Sequence, residues 1–463
     1  MIIEKQAVEQ IYTKCLAQGA YFIESNGEAA VIDPLRESGP YIERARARGV
    51  KIKYIFETHF HADFVSGHVS LAKHTGATIV FGPGAQTSYN IKNANDGEVF
   101  QIGDLSITAI HTPGHTLEST CYLLKDSEGV QKALFSGDTL FIGDVGRPDL
   151  AQKSGELTKE DLARMLYDSL RNKIMPLSDE LIVYPAHGAG SACGKNMSSE
   201  TFDSLGNQKK TNYALDADLT KSGFVKQLLD GLAAPPNYFK FNVSINKKGY
   251  EDLEEIMKSG LKALNIEEFK TIADQEDVLI LDVRDKLDFA KSHIKDSLFI
   301  GIDGSFAPWV GEMITDINQK IVIVAPKGRE EEAVRRLARV GYDNSLGFLD
   351  SSVEEWAKAG NPVDNFDVEN AKTMKSFFKE ETSIIDFRKP SEYAGGHVST
   401  SKNLPLSDIH KKVSELDKNT HYYIHCRSGY RSTIAASIMK RNGLKMSNIV
   451  DNVEHVLEEL PSV

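Results

Sequence analysis

The stretch Thr58-His59-Phe60-His61-Ala62-Asp63-Phe64 concentrates side chains that bind metal ions. Histidines at alternate positions, followed by an aspartate, supply imidazole nitrogens and a carboxylate within one short loop. Three further loops carry the same residue types in order: His111-Thr112-Pro113-Gly114-His115-Thr116, Ser136-Gly137-Asp138 and Tyr184-Pro185-Ala186-His187-Gly188. Each follows a short β-like run, such as Ala133-Leu134-Phe135 before Ser136, and a layered α/β fold collects such loops at its strand ends. One such histidine alone is more often structural than a ligand; an ordered set of four loops reverses that weighting. Phe64 closes the first loop with a side chain that has no lone pair to offer.

A second centre lies near the C-terminus. His421-Tyr422-Tyr423-Ile424-His425 reads as a buried strand and Thr433 to Met439 as a helix, with Cys426-Arg427-Ser428-Gly429-Tyr430-Arg431-Ser432 between them. A cysteine on a strand-to-helix turn faces successive backbone N–H groups and the positive end of the helix dipole. Both favour a nucleophilic thiolate and hold an anionic persulfide or a sulfite-derived group. Arg427 and Arg431 add positive charge. The loop resembles the active loop of rhodanese sulfurtransferases. Dual-specificity phosphatase loops place five residues between cysteine and arginine; here four separate Cys426 from Arg431, a tighter cradle suited to sulfur.

The chain also repeats itself. Leu281-Asp282-Val283-Arg284 recurs as Ile385-Asp386-Phe387-Arg388, and Phe289-Ala290 precedes His293 as Tyr393-Ala394 precedes His397. Arg339-Val340-Gly341 ends one helix where Arg441-Asn442-Gly443 ends the other. The first copy therefore also resembles a rhodanese domain, but its strand Ile321 to Val324 leads into Ala325-Pro326-Lys327-Gly328-Arg329-Glu330-Glu331. That loop has no thiol and brings two glutamates into an anion cradle, as expected of a structural or docking pseudo-rhodanese domain.

The histidine and aspartate loops resemble those of the metallo-β-lactamase fold, whose two-metal members carry another histidine where this chain has Phe64. The resemblance implies a second metal site short of a ligand, and hence one metal per chain. Within that fold the loops are similar to those of glutathione-type persulfide dioxygenases, in which the positions matching His59, His115 and Asp138 hold one Fe(II). Two histidines and a carboxylate with open positions opposite suit non-haem iron and O2. His61, Asp63 and His187 would then orient ligands or bound water. Thr116 and Arg147, in Gly146-Arg147-Pro148-Asp149, match positions that contact the thiol carrying the persulfide. An arginine fork suits that task, and tying Asp149 in place is an equal reading. The competing resemblance, a zinc hydrolase of the glyoxalase II type, uses paired metals to generate hydroxide and needs the histidine that Phe64 replaces.

Composition bounds these readings. A chain of 463 residues is too long for one ordinary core and fits three domains. Hydrophobic content of 41% and a mean hydropathy of −0.31 fit a globular protein without membrane spans. A net charge of −12 disfavours nucleic acid and anionic membranes as partners. The opening Met1-Ile2-Ile3-Glu4-Lys5-Gln6 has early charges and no apolar signal core. Four cysteines make a disulfide framework unexpected, so the expected compartment is a reducing cytoplasm. Cys15 and Cys121 are expected in the core. Cys193 follows His187 in the small-residue loop Gly188 to Gly194, which can bring its thiol over the metal to meet the substrate; an ordinary loop thiol is an equal reading.

The expected architecture is α/β: an αββα metallo-β-lactamase sandwich over residues 1–242, then a connector at 243–264. A pseudo-rhodanese domain at 265–362 and a catalytic rhodanese domain at 363–463 follow. The first domain opens with a hairpin at Asn26-Gly27 and closes near Ala233-Ala234-Pro235-Pro236, because consecutive prolines end helices. Taken whole, the chain resembles the CstB-type fusions of a persulfide dioxygenase with two rhodanese domains. The resemblance implies oxidation of a low-molecular-weight thiol persulfide by O2 to sulfite, and transfer of sulfane sulfur from Cys426 to sulfite as thiosulfate. Tethering the two centres raises the local concentration of sulfite at the second. Homo-oligomerisation and the identity of the thiol are left open. The alternatives are a zinc thioester hydrolase fused to a sulfurtransferase, and a sulfane-sulfur carrier or sensor.

Overall fold

The computed structural model describes residues 7–151, 156–232 and 234–463; Met1 to Gln6 and Ala233 of the Ala-Ala-Pro-Pro break lie outside them. The chain divides into two compact units. The first ends at Leu253 and also includes the short segment Ala338–Gly341; the second comprises Glu254–Leu337 and Tyr342–Val463.

The first unit is built on two six-stranded sheets. One contains β1 (Val8–Thr13), β2 (Gln18–Ser25), β3 (Glu28–Ile32), β4 (Lys51–Phe56), β5 (Thr78–Phe81) and β6 (Lys92–Asn93) in chain order. The other contains β7 (Val99–Ile102), β8 (Leu105–His111), β9 (Thr120–Lys125), β10 (Gln131–Gly137), β11 (Ile182–Pro185) and β12 (Asp203–Ser204), again in sequence order. The expected hairpin joins β2 to β3. Asn26 and Gly27 both adopt positive φ, 43° and 80°, as a tight two-residue turn between twisted strands requires.

Apolar residues from both sheets, among them Tyr21, Ile32, Phe56, Phe100, Tyr122 and Phe135, form one buried cluster, so the sheets pack face to face. Helix Gly39–Arg48 and helix His68–Thr75 cover the outer face of the first sheet through Tyr41 and Leu71. Helix Lys159–Ser169 covers the second through Leu166. Its start is fixed by a capping box between Thr158 and Asp161, and its buried Leu162, Ala163 and Leu166 fall on one face. The result is the expected helix–sheet–sheet–helix sandwich. Asp33 follows β3, the Thr58–Phe64 loop follows β4, Asp138 follows β10 and His187 follows β11.

The first compact unit runs past Asn242 to Leu253. Asn242 is buried in the middle of helix Phe239–Lys248, which belongs to the first unit. One turn later Asn246 grips the metal-loop backbone. Its Nδ2 donates to the carbonyls of His61 (2.8 Å) and Phe64 (2.9 Å), and its Oδ1 accepts from the N–H of Ser66 (3.0 Å). The proline pair interrupts the chain locally without ending the domain.

The second unit contains the repeat. In the first copy, parallel strands run in the order Ala263–Leu264, Ser345–Leu349, Lys320–Val324, Val278–Asp282, Leu298–Phe299. The second copy has the same order: Asp367–Glu369, Lys445–Ile449, His421–His425, Ile384–Asp386, Ser401–Asn403. Ala263–Leu264 pairs along the edge of the first copy's sheet, and Val363–Asp364 pairs back onto His293–Ile294. The repeated sequence pairs do the same work twice. Arg284 forks onto Asp282 as Arg388 does onto Asp386, and Phe289 stacks on His293 (4.0 Å between centroids) as Tyr393 does on His397 (3.7 Å). No helix among the described residues is long and apolar enough to cross a membrane.

Removing the Asn246 amide strands two carbonyls and one N–H in the interior. Asn246→Ala is expected to lower the stability of the first unit by about 2–4 kcal/mol. Denaturant unfolding followed by the near-ultraviolet signal measures it; an unchanged midpoint would show that the clamp contributes nothing.

Candidate metal centre and sulfur loop

Three donors expected from the sequence meet at one point. His59 Nε2 lies 3.8 Å and His115 Nε2 lies 3.4 Å from Asp138 Oδ2, and all three side chains are buried. Donors about 2.1 Å from one cation stand about 3–3.5 Å apart, so this spacing suits a shared ion. His115 Nε2 and both Asp138 carboxylate oxygens are buried with no hydrogen-bond partner among the described residues. Burying a carboxylate in that state costs several kcal/mol unless a cation answers it. The residues present therefore fit a metal ion.

The ring tautomers are set from behind. His115 Nδ1 faces the Arg147 carbonyl at 2.8 Å; a carbonyl only accepts, so Nδ1 carries the proton and Nε2 keeps its lone pair. His59 Nδ1 lies 2.9 Å from Thr58 Oγ1, whose own proton goes to Asp33 Oδ2 at 2.8 Å. The same logic leaves His59 Nε2 free to ligate. Burial, with His61 and His115 close by, pushes His59 well below its usual range and keeps the imidazole neutral. Gly146 permits the close approach behind this set. A Cβ there would collide with the Asp138 carbonyl and lie 2.9 Å from His115 Nδ1.

His61, Asp63 and His187 form a second group beside the first. His187 Nε2 is 3.4 Å from Asp63 Oδ2 and 3.7 Å from Asp138 Oδ1. Burial disfavours a charge on His187, but Asp63 and Asp138 outweigh it and raise the group well above its usual range. A proton there answers the same negative charges as a cation would. His61 Nε2 points instead to Asp33 Oδ1 (3.1 Å) and Glu57 Oε2 (3.6 Å). Burial and Asp33 push Glu57 well above the carboxylate range. The fully buried Phe64 ring lies 4.4 Å from His61 and 6.4 Å from His187, between centroids.

The remaining expected residues are close by. Cys193 is buried with its thiol grouped with Asp138 and His187, and burial together with Asp63 and Asp138 pushes it up to about 12. Arg147 makes a two-bond fork to Asp149 (2.7 and 2.9 Å), and its Nη1 donates to the Ala192 carbonyl. Thr116 Oγ1 meets Ser119 Oγ at 2.7 Å. All four cysteines are free thiols; Cys121 is core, whereas Cys15 is only half-buried in the turn after β1. Asp33, Glu57, Thr58 and Asn246 were not singled out from the sequence. Asp33 left one signal, a charge directly after the apolar run Ala29 to Ile32, and it adopts a positive φ of 47°.

In the second unit Cys426 follows strand His421–His425 and precedes helix Tyr430–Arg441, as expected, with its side chain buried and Arg427 and Ser428 exposed at the rim. None of the N–H groups from Arg427 to Ser432 donates to a protein acceptor among the described residues. Arg431 forks onto Glu392 at 2.7 and 2.8 Å and holds that carboxyl down to about 2, which offsets part of the charge it brings to the loop. The first copy differs in substance. Its Gly328 N–H donates to Glu330 Oε1 (3.0 Å) and its Arg329 N–H to the Pro326 carbonyl, so that cradle is filled by its own chain.

Comparison with known proteins agrees with this division. Residues 14–187 match the metallo-beta-lactamase superfamily model, and residues 265–359 and 370–454 match the rhodanese-like domain model. A metallo-beta-lactamase crystal structure from Staphylococcus aureus is 30% identical, with a TM-score of 0.66, and the match covers 74% of this chain and 98% of that one. The chain belongs to the metallo-beta-lactamase superfamily. Rhodanese-like domains follow its metal-binding fold. Among curated relatives, a hydroxyacylglutathione hydrolase of Tolumonas auensis is 34% identical over 36% of this chain and 60% of its own length. A probable hydroxyacylglutathione hydrolase of Schizosaccharomyces pombe is 30% identical over 34% and 58%. The chain thus spans about 60% of the length of these relatives.

The hydroxyl of Thr58 orients His59 without touching the metal position. Thr58→Val is expected to weaken metal retention about 10–100-fold, and Thr58→Ser to preserve it. Competition with a chelator measures this, and equal retention by the valine variant would remove Thr58 from the site.

Proposed function

We propose that the first unit is a mononuclear Fe(II) dioxygenase acting on the persulfide of a low-molecular-weight thiol. The observation that carries this reading is Phe64, whose buried ring against His61 leaves the second donor group short, while His59, His115 and Asp138 remain open to one ion. Iron bound there supplies the activation of O2. The overall change is RSSH + O2 + H2O → RSH + SO3²⁻ + 2H⁺, in which the terminal sulfur is oxidised and O2 is reduced. His61, Asp63 and His187 orient ligands and bound water. Thr116, Cys193 and Arg147, pre-oriented by Asp149, bind the thiol.

The second rhodanese-like domain then acts as a sulfurtransferase through Cys426. A persulfide on Cys426 loses its outer sulfur to sulfite: Cys–S–S⁻ + SO3²⁻ → Cys–S⁻ + S2O3²⁻, one S–S bond breaking as another forms. The unpaired N–H groups and Arg427 favour the anions on both sides of that exchange. The protein is expected to work in the reducing cytoplasm, where thiol persulfides and free cysteines persist.

A second reading is a zinc thioester hydrolase fused to a sulfurtransferase. It is favoured by the names of the curated relatives and by the grouping of His61, Asp63 and His187 beside the first donor set. Metal analysis combined with an oxygen electrode separates the two. One iron per chain with persulfide-dependent O2 uptake supports the dioxygenase; two zinc ions with hydroxyacylglutathione cleavage supports the hydrolase. Neither would leave a sulfur carrier. On the dioxygenase reading, Phe64→His raises the metal bound per chain from one toward two.

Cys426→Ser keeps the shape of the loop but supplies a poor sulfur acceptor. It is expected to consume O2 normally and accumulate sulfite, where the wild type accumulates thiosulfate. Thiosulfate formation at the wild-type rate would transfer the role to another residue, Cys193 first.

A further inference from the structure

The thiol-less repeat reaches the sulfur loop of its sibling. Lys286 Nζ, from the helix Lys286–Lys291 of the first copy, donates to the Ser428 carbonyl at 2.5 Å. The Tyr430 hydroxyl donates to the Gly301 carbonyl at 2.7 Å. Its ring fills a slot that exists because Gly304 has no side chain: a Cβ there would collide with it.

In a trans peptide the C=O and the following N–H point in opposite directions. Three successive carbonyls after the nucleophile are each held by a donor. The Arg427 carbonyl accepts from the Val453 N–H (2.9 Å), the Ser428 carbonyl from Lys286, and the Gly429 carbonyl from Thr433 N–H (3.0 Å) and Oγ1 (2.7 Å). Each anchor turns the next N–H, of Ser428, Gly429 and Tyr430, to the opposite side, and these are among the N–H groups left without a protein acceptor. The middle peptide is the one most easily lost. Gly429 sits at φ 86°, and glycine accepts either sign of φ, so the 428–429 peptide can flip at little intrinsic cost. Its anchor is the lysine of the other repeat.

We infer that Lys286 is a positioning residue for the sulfur site: by holding the Ser428 carbonyl outward it aims the Gly429 N–H at the anion carried on Cys426. The pseudo-domain thereby completes the loop that its own sequence has lost. This rests on the sulfurtransferase reading of Cys426.

The test uses the full-length chain with Lys286→Met, which keeps the length of the side chain but has no donor, and Lys286→Arg. Two readouts are taken: thiosulfate:cyanide sulfur transfer, and the rate at which iodoacetamide alkylates Cys426 at fixed neutral pH, followed by mass spectrometry. Lys286→Met is expected to lower kcat and the alkylation rate about tenfold, the size of one lost charge-assisted hydrogen bond, with KM for the anionic substrate changed less than about twofold. Lys286→Arg, which still donates, restores most of both. Wild-type rates in the methionine variant overturn the inference. So does a raised KM with unchanged kcat, which would make Lys286 a substrate contact, and so does a failure of arginine to rescue in a variant that melts like the wild type. If the wild type transfers no sulfur, the sulfurtransferase reading fails, while the alkylation rates still decide whether Lys286 sets the reactivity of Cys426.

Discussion

Burial of unpaired charge-bearing donors at the strand ends is the constraint on which the first unit depends. Asp138 is 2% exposed with neither carboxylate oxygen hydrogen-bonded among the described residues, and His115 beside it has a bare Nε2. Without a cation that arrangement costs several kcal/mol, a large part of the stability of any domain. Rigidity around the donors keeps the cost worth bearing. Asn246 clamps the loop backbone, Thr58 and the Arg147 carbonyl fix the rings, and the two-sheet core holds the strands that carry them. Metal binding and folding are therefore coupled in this unit.

The second unit shows how a duplicated scaffold divides its labour. Both copies keep the elements that hold the fold: strand order, the Asp–Arg fork at the end of Val278–Asp282 and of Ile384–Asp386, and the aromatic–histidine stack. They differ in the loop after the central strand. In one loop Glu330 occupies a backbone N–H that an anion would need; in the other the N–H groups are left without a partner and a thiol sits at their centre. The absent cysteine and the present glutamate belong together physically, because Glu330 takes up a backbone N–H that an anion in the loop would otherwise use.

What the sequence made legible follows from distance along the chain. The hairpin at Asn26-Gly27, the strand His421–His425 with its loop, and the four metal loops are local patterns, and each lies where its residues indicated. The repeat was legible because like residues recur at like spacing. The supporting residues were not, since their roles exist only after folding. Asn246 meets its partners 182 and 185 positions away, and Glu392 meets Arg431 across 39. Consecutive prolines report a change of chain direction, whereas which compact unit a segment joins is set by what the next helix touches.

Phe64 shows how little a fold must change for its chemistry to change. A phenyl ring fits a fully buried position and packs against His61, where an imidazole of similar size would also fit the sandwich. The electronic consequence is large, because a ring without a lone pair cannot hold an ion. Hydrolysis by paired metals needs two ions close together; oxidation by O2 needs one ion with open positions. On the proposed reading, one side chain moves the centre from the first kind of chemistry to the second and changes its product to an anion. On the same reading that anion is what an N–H-lined cysteine loop is suited to receive, and covalent linkage of the two centres raises its effective concentration there.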